Sequence, residues 1–266
     1  PACASHRAAR RASHRPAGRV LISLVGTNDL HGRIALLPWL GGHLANLRRA
    51  RAADGAVLLV DAGDLFQGTL VANLSEGEAV IAAYNALGYD AATLGNHEFD
   101  YGPVGPRSAA VDPADDPLGA LAARAAQARF PLLARNLYLP SGNRPAFLAE
   151  QGLHVVERHG VRIGIVGLLT PLTPQVTNPV NVSGFRFGAL ADEARSAAAE
   201  LRRRGAEVLV ALVHAGGHCR SLQDPHDLAT CDAHGEVFEM LQALPEGLFD
   251  TVIAAHTHTR LAHFVH

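Results

Sequence analysis

The sequence predicts an α/β fold built on a largely parallel sheet. Three observations carry that expectation. Short apolar runs alternate with stretches of helical periodicity through most of the 266 residues. The runs are continuous rather than alternating, as in strands buried on both faces. Five of them end in a polar signature, and in parallel sheets ligands bind beyond the carboxyl ends of the strands.

Residues 20–26 are the first strand, running out in Gly-Thr-Asn-Asp. Residues 36–51 suit a helix, weakened near its start by Gly41 and Gly42. The second strand is 56–60, and Asp61 begins its exit loop. Residues 76–87 are an amphipathic helix, with Val80, Ile81, Tyr84 and Leu87 at helical spacing. A third strand, 90–94, stops at Gly95. Pro- and Gly-rich 103–117 is a loop, Ala-rich 118–129 a helix and 132–134 a short strand. Residues 153–158 and 161–168 form a strand pair turning at His159-Gly160. Residues 170–187 hold Pro171, Pro174 and Pro179 and suggest a loop. A helix over 189–204, a strand over 207–213, a helix over 235–243 and a strand over 251–255 complete the chain. No internal repeat is evident.

The length suits one large domain or two small ones. An apolar fraction of 48% is ordinary for a globular core. The net charge of −2 favours no polyanion, so a nucleic-acid polymer is not an expected partner. All 23 basic residues are Arg, a bias without functional content. No apolar run reaches the ~18 residues of a membrane span. Residues 1–19 carry five arginines and no acid and are expected to be a disordered basic leader. Within it, Ala2-Cys3 could be the scar of a lipoprotein signal. The chain does not begin with Met, as expected of a processed chain or a fragment.

Cys219 and Cys231 share one polar stretch, twelve positions apart. A disulfide would stabilise that loop by roughly 3 kcal/mol and imply an oxidising compartment. Two unpaired thiols, or a zinc site with His218 and His226, are the alternatives.

The chemistry lies in the strand-end signatures. They are Asp29-Leu30-His31, Asp61-Ala62-Gly63-Asp64, Gly95-Asn96-His97-Glu98-Phe99-Asp100, His214, and His256-Thr257-His258. All offer oxygen or imidazole ligands for divalent metals. Two cations held close together repel, which favours a carboxylate between them. Asp64 is placed to bridge in this way. Asp29 and His31 reach one metal, while Asn96, His214, His256 and His258 add neutral ligands. The residual positive charge suits an anionic phosphate ester, and the metals acidify a bound water that then serves as nucleophile. His97 need not be a ligand: it can face the leaving group as a general acid or stabilise charge on the phosphoryl oxygens. Asp100, three residues on, can orient it if the segment turns helically. Asp61 and Glu98 are expected to be structural. His43, His154, His159, His234, His263 and His266 are expected at the surface.

These motifs, in this order and spacing over residues 20–260, resemble the calcineurin-like metallophosphoesterases. More narrowly they resemble the amino-terminal catalytic domain of the bacterial 5′-nucleotidase family, which includes UDP-sugar hydrolases and 2′,3′-cyclic nucleotide phosphodiesterases. The resemblance implies a four-layer α-β-β-α sandwich and two divalent metal ions, zinc, manganese or similar. One metal would be held by Asp29, His31, Asp64 and His258, the other by Asp64, Asn96, His214 and His256. His97 and Asp100 would form the catalytic dyad. It further implies a small-molecule nucleotide or other phosphate ester as substrate, and a periplasmic or extracellular location, membrane-tethered if Cys3 is lipidated. Residues 20–266 would then be the catalytic domain. Two departures stand out. Ala255 replaces the usual Gly before His-Thr-His, which is tolerable only at negative φ. The chain stops at His266, so the fold is expected to be truncated at its C-terminal edge, without the family's separate substrate-binding domain. Two rival readings are a dimetal hydrolase of a sulfur ester, like the thiosulfohydrolases, and a non-catalytic metal-binding fragment.

Overall fold

The computed structural model describes residues 18–265, so nearly all of the expected leader, with Cys3, and also His266 lie outside the described residues. The strands are β1 (Leu21–Thr27), β2 (Gly55–Asp61), β3 (Ala91–Thr93), β4 (Leu132–Leu133), β5 (Leu137–Tyr138), β6 (Leu153–Arg158), β7 (Val161–Leu169), β8 (Arg186–Phe187), β9 (Val208–His214) and β10 (Thr251–Ala254). The helices are α1 (Leu37–Arg51), α2 (Leu70–Leu74), α3 (Glu78–Leu87), α4 (Gly119–Gln127), α5 (Thr173–Val176), α6 (Leu190–Arg203) and α7 (Glu236–Gln242). Among the described residues, no helix is long and apolar enough to cross a membrane.

The strands form two four-stranded sheets rather than one. The first has the order β1-β2-β3-β4 and is parallel throughout. The second has the order β10-β9-β7-β6, with β6 antiparallel to β7. A two-residue period sorts their side chains. Leu58 and Val60 of β2 meet Ile163 and Ile165 of β7 and Val210 and Leu212 of β9 between the sheets. Val57 and Leu59 face the opposite way, into a core with Leu44 of α1 and Val80, Ile81 and Tyr84 of α3. Val166, Leu168, Leu209, Ala211 and Val213 pack with Ala194, Ala197, Ala198 and Leu201 of α6 and with α7. The layers therefore run helix, sheet, sheet, helix, the four-layer sandwich. At Gly167 a Cβ would lie 2.5 Å from that of Leu133 and 2.7 Å from Thr93 Oγ1, so only glycine lets the sheets approach so closely there.

Most expected elements form within one or two residues of their predicted ends. The helix expected over 76–87 starts at Glu78, because Gly77 takes φ +83° and breaks the turn before it. Three features were not anticipated. Thr69 caps the short α2 by accepting a hydrogen bond from Ala72 N–H. β5 and β8 pair as a separate two-stranded sheet. Residues 170–187, expected as loop, contain α5, a 3-10 turn at Pro179–Val182 and β8. These pieces are too short for periodicity to show.

Candidate metal centre

The signatures converge where the carboxyl edges of the two sheets meet. Asp29 and His31 follow β1, Asp64 follows β2, Asn96 and His97 follow β3, His214 ends β9, and His256 and His258 follow β10. The exit loops of β1 and β2 are zipped together by main-chain hydrogen bonds. Asp29 N–H donates to Gly63 O, His31 N–H to Asp64 O and Gly32 N–H to Leu65 O, at 2.9–3.0 Å. The second sheet joins this frame through His256 N–H, which donates to the Asp29 carboxylate at 3.1 Å. Left-handed backbone turns the side chains inward: φ is +48° at Asp29 and His31, +58° at Asp64, +82° at His256 and +53° at His258. Such values are uncommon outside glycine and gather at functional sites. Ala255 is not among the positive-φ residues, so its methyl group is accommodated where a glycine was expected.

Two groups of ligand atoms result, each within 4.8 Å: Asp29, His31, Asp64 and His258, and Asp64, His214 and His256. Asp64 belongs to both. Its Oδ2 lies 3.2 Å from His214 Nε2 and 3.8 Å from His31 Nε2. Asn96 enters beside the second group, with Oδ1 3.2 Å from His214 Nε2. In the first, His31 Nε2 faces His258 Nε2 at 3.0 Å, and His258 Nε2 lies 3.6 Å from Asp29 Oδ1. His31, Asp64, Asn96 and His214 are buried, and His258 is exposed.

The donor set fits a divalent cation. His214 Nδ1 lies 2.8 Å from Ala62 O and His31 Nδ1 2.9 Å from Gln67 O. A carbonyl only accepts, so each Nδ1 carries the proton, and the neutral ring presents a lone pair at Nε2. These lone pairs face carboxylate and amide oxygens. Acceptors meeting acceptors in a buried space require a positive charge between them. Without a metal the frame draws a proton instead. Burial pulls His214 down, but the hydrogen bond and charge of Asp64 outweigh it and hold the ring at about 9. Burial likewise pushes Asp64 up, but the hydrogen bond and charge of His214 prevail and hold it at about 2. Burial and the charge of His214 together lower His256.

His97 and Asp100 sit beside these groups. A 3-10 turn over Asn96–Phe99 brings Asp100 Oδ2 to 2.6 Å from His97 Nδ1, and this hydrogen bond raises the imidazole pKa. The His97 ring centroid lies 5.2 Å from that of His31. Nδ1 is engaged by the carboxylate, and Nε2 is the ring nitrogen that Asp100 does not hold.

Glu98 is buried behind the centre and accepts main-chain hydrogen bonds from Gly95, Asp64, Leu65 and Phe66 at 2.6–3.2 Å. It shapes the loop that presents Asp64. Asp61 accepts from Thr27 Oγ1, Tyr84 OH and Gly63 N–H, and burial pushes its carboxyl up to about 7. Both carboxyls hold loops in place, as expected of them. Gly63 is less legible in the sequence. It has φ +97°, and a Cβ would lie 2.6 Å from His214 Nδ1 and 2.8 Å from Gly95 N.

Cys219 and Cys231 are bonded to each other, with an S–S distance of 2.00 Å. This overturns the zinc reading with His218 and His226, since a disulfide offers no thiolate. His263, expected at the surface, lies half-buried against the bridge instead. The chain just ahead of the bridge also touches the centre: Thr257, between His256 and His258, donates its hydroxyl to Gly217 O at 3.0 Å.

Comparison with known proteins points the same way. Protein UshA of Yersinia enterocolitica is 28% identical over 249 residues, covering 89% of this chain and 40% of the relative. The 5′-nucleotidase of Vibrio cholerae is 28% identical over 248 residues, with the same coverage. The chain thus spans about two-fifths of the length of these curated relatives. The crystal structure of a 5′-nucleotidase precursor from Thermus thermophilus superposes with a TM-score of 0.65 at 29% identity, over 92% of this chain and 43% of that one. The profile of the calcineurin-like phosphoesterases matches residues 22–260, and the chain belongs to that family.

Proposed function

We propose that this chain is the catalytic domain, residues 20–266, of a dimetal phosphoesterase that hydrolyses nucleotide phosphate esters. The supporting observation is the buried convergence of acceptor atoms on Asp64, shared by two ligand groups. The relatives named as 5′-nucleotidases support a nucleotide substrate. Asp29, His31, Asp64 and His258 would hold one divalent cation; Asp64, Asn96, His214 and His256 would hold the other. Zinc, manganese and similar ions suit these nitrogen and oxygen donors. When bound, the cations supply positive charge for the phosphoryl oxygens and acidify the attacking water.

The chain's own residues do the rest. Asp100 holds His97 Nδ1–H, which leaves Nε2 facing substrate as a proton donor. The water oxygen forms a bond to phosphorus as the ester P–O bond breaks. His97 gives its Nε2 proton to the leaving oxygen, and the water's proton returns the imidazole to its starting state. Backbone hydrogen bonds through Glu98 hold Asp64 against recoil. The disulfide suits an oxidising compartment, so the reading extends to a periplasmic or extracellular enzyme, lipid-tethered if Cys3 is acylated.

Titration of the metal-free protein with Mn²⁺ or Zn²⁺, followed by assay on p-nitrophenyl phosphate and AMP, tests the proposal. Metal-dependent hydrolysis is expected. Metal-loaded protein that cleaves no phosphate ester would refute it and favour the non-catalytic reading.

A further inference from the structure

The segment after β7 supplies none of the ligand atoms grouped above, yet it grips the connection between β3 and α4 through several hydrogen bonds. Thr177 Oγ1 donates to Asp100 Oδ1 at 2.7 Å. Val176 O accepts from Asn96 Nδ2 at 2.8 Å. The buried Asn181 donates through Nδ2 to Phe99 O and accepts at Oδ1 from Ala110 N–H, at 2.8 and 3.0 Å. The segment is itself pinned to the second sheet, because Thr170 N–H donates to His214 O at 2.8 Å.

Two of these contacts bear on chemistry. The Val176 carbonyl can only accept, so it takes the Asn96 amide nitrogen and turns Oδ1 toward His214. The Thr177 hydroxyl takes one oxygen of Asp100, while His97 takes the other. A carboxylate held only by His97 can swing about its Cβ–Cγ bond and carry the imidazole with it. A second, charge-assisted hydrogen bond removes that freedom.

We propose that Thr177 is a positioning residue, the third member of a Thr177–Asp100–His97 chain that aims His97 Nε2 at the leaving oxygen. The proposal rests on the reading of His97 as proton donor. It differs from a packing role because it depends on the hydroxyl: valine fills the same volume but cannot donate.

The test compares Thr177→Val, Thr177→Ser and His97→Asn in the metal-loaded protein, on an alkyl phosphate and on p-nitrophenyl phosphate. The alkyl leaving group needs a proton much more than the nitrophenolate does. Thr177→Val should lower kcat on the alkyl ester about 10- to 100-fold, with a smaller loss on the aryl ester. Its metal content should equal the parent's, and Thr177→Ser should restore most of the rate. Equal losses on both esters, loss of metal, or a serine variant as slow as the valine variant would overturn the proposal. His97→Asn separates the two layers of the argument. If it shows the leaving-group-selective loss and Thr177→Val does not, the Thr177 proposal alone fails. If His97→Asn slows both esters equally, the proton-donor reading fails and takes the proposal with it.

Discussion

Replacing Gly63 with alanine should weaken the fold and the metal centre together. Gly63 has φ +97°, and an added Cβ would lie 2.6 Å from His214 Nδ1, 2.8 Å from Gly95 N and 3.0 Å from Leu94 C. Left-handed backbone costs an L-residue roughly 1–2 kcal/mol. The overlap adds about 1–3 kcal/mol, as overpacking in a close-fitted core does. Little can yield, since two of the three contacts are main chain and the third is a fully buried ring tied to Ala62 O at 2.8 Å. The expected loss is about 2–5 kcal/mol. Gly247→Ala is the control: φ is +67° there and nothing lies within 4 Å of the added Cβ, so only the backbone cost applies. Urea unfolding should show Gly247→Ala losing about 1–2 kcal/mol with its metal content intact. Gly63→Ala should lose more and bind metal more weakly by calorimetry. Equal losses for the two variants, with metal affinity unchanged in both, would refute the claim that Gly63 is where the β2 and β3 loops and His214 interlock.

Three further outcomes are expected. Asp64→Asn removes the charge common to both ligand groups and should strip metal from the protein, whereas His97→Asn should retain metal and lose about 10²- to 10⁴-fold in turnover; elemental analysis beside kinetics separates them, and metal loss in His97→Asn would contradict the role given to that residue. Burial raises the Asp61 carboxyl from 3.8 to about 7. Between those values the folded state keeps a proton that the unfolded state releases, so this group's contribution falls as pH rises through the window, by up to ~1.4 kcal/mol per pH unit, and is level above it. Asp61→Asn should therefore gain on the parent as pH rises from 4 to 7 in urea titrations, and a constant gap would contradict the assignment. Opening the Cys219–Cys231 bridge, by reduction or by paired serine substitutions, should lower stability by roughly 3 kcal/mol, read from the same unfolding curves.

Much of this architecture was legible because buried parallel strands write themselves as continuous apolar runs. Residues 20–26, 56–60, 161–168 and 207–213 fall on β1, β2, β7 and β9 almost residue for residue. Strand ends could then be read as a line of ligands. What strand-by-strand reading could not show is that β1, β2, β3 and β4 belong to one sheet and β6, β7, β9 and β10 to another, since both sheets carry the same apolar signal. The two-sheet arrangement came instead from the resemblance of the motifs. The other blind spots share one cause. Thr177, Asn181 and the Val176 carbonyl act through isolated hydrogen bonds across 71 to 82 residues of chain, and three prolines nearby signal only loop. Glu98 was legible as structural, but its reach of 32 to 34 residues to the Asp64 loop was not.

The left-handed backbone at Asp29, His31, Asp64, His256 and His258 also governs how this centre must be dissected by mutation. Asparagine, aspartate and histidine enter that conformation far more readily than most residues, while alanine gains nothing from it. An alanine scan would therefore change two variables at each of these positions, the ligand and the shape of the loop, and would credit both to metal binding. Asparagine at 29 and 64 removes a charge and keeps the loop's preference. Glycine at the histidine positions removes the ligand and relaxes the strain. Where the glycine variant proves more stable without metal than its parent, the difference reports the combined cost, in backbone conformation and in opposed acceptor atoms, of holding the ligands ready.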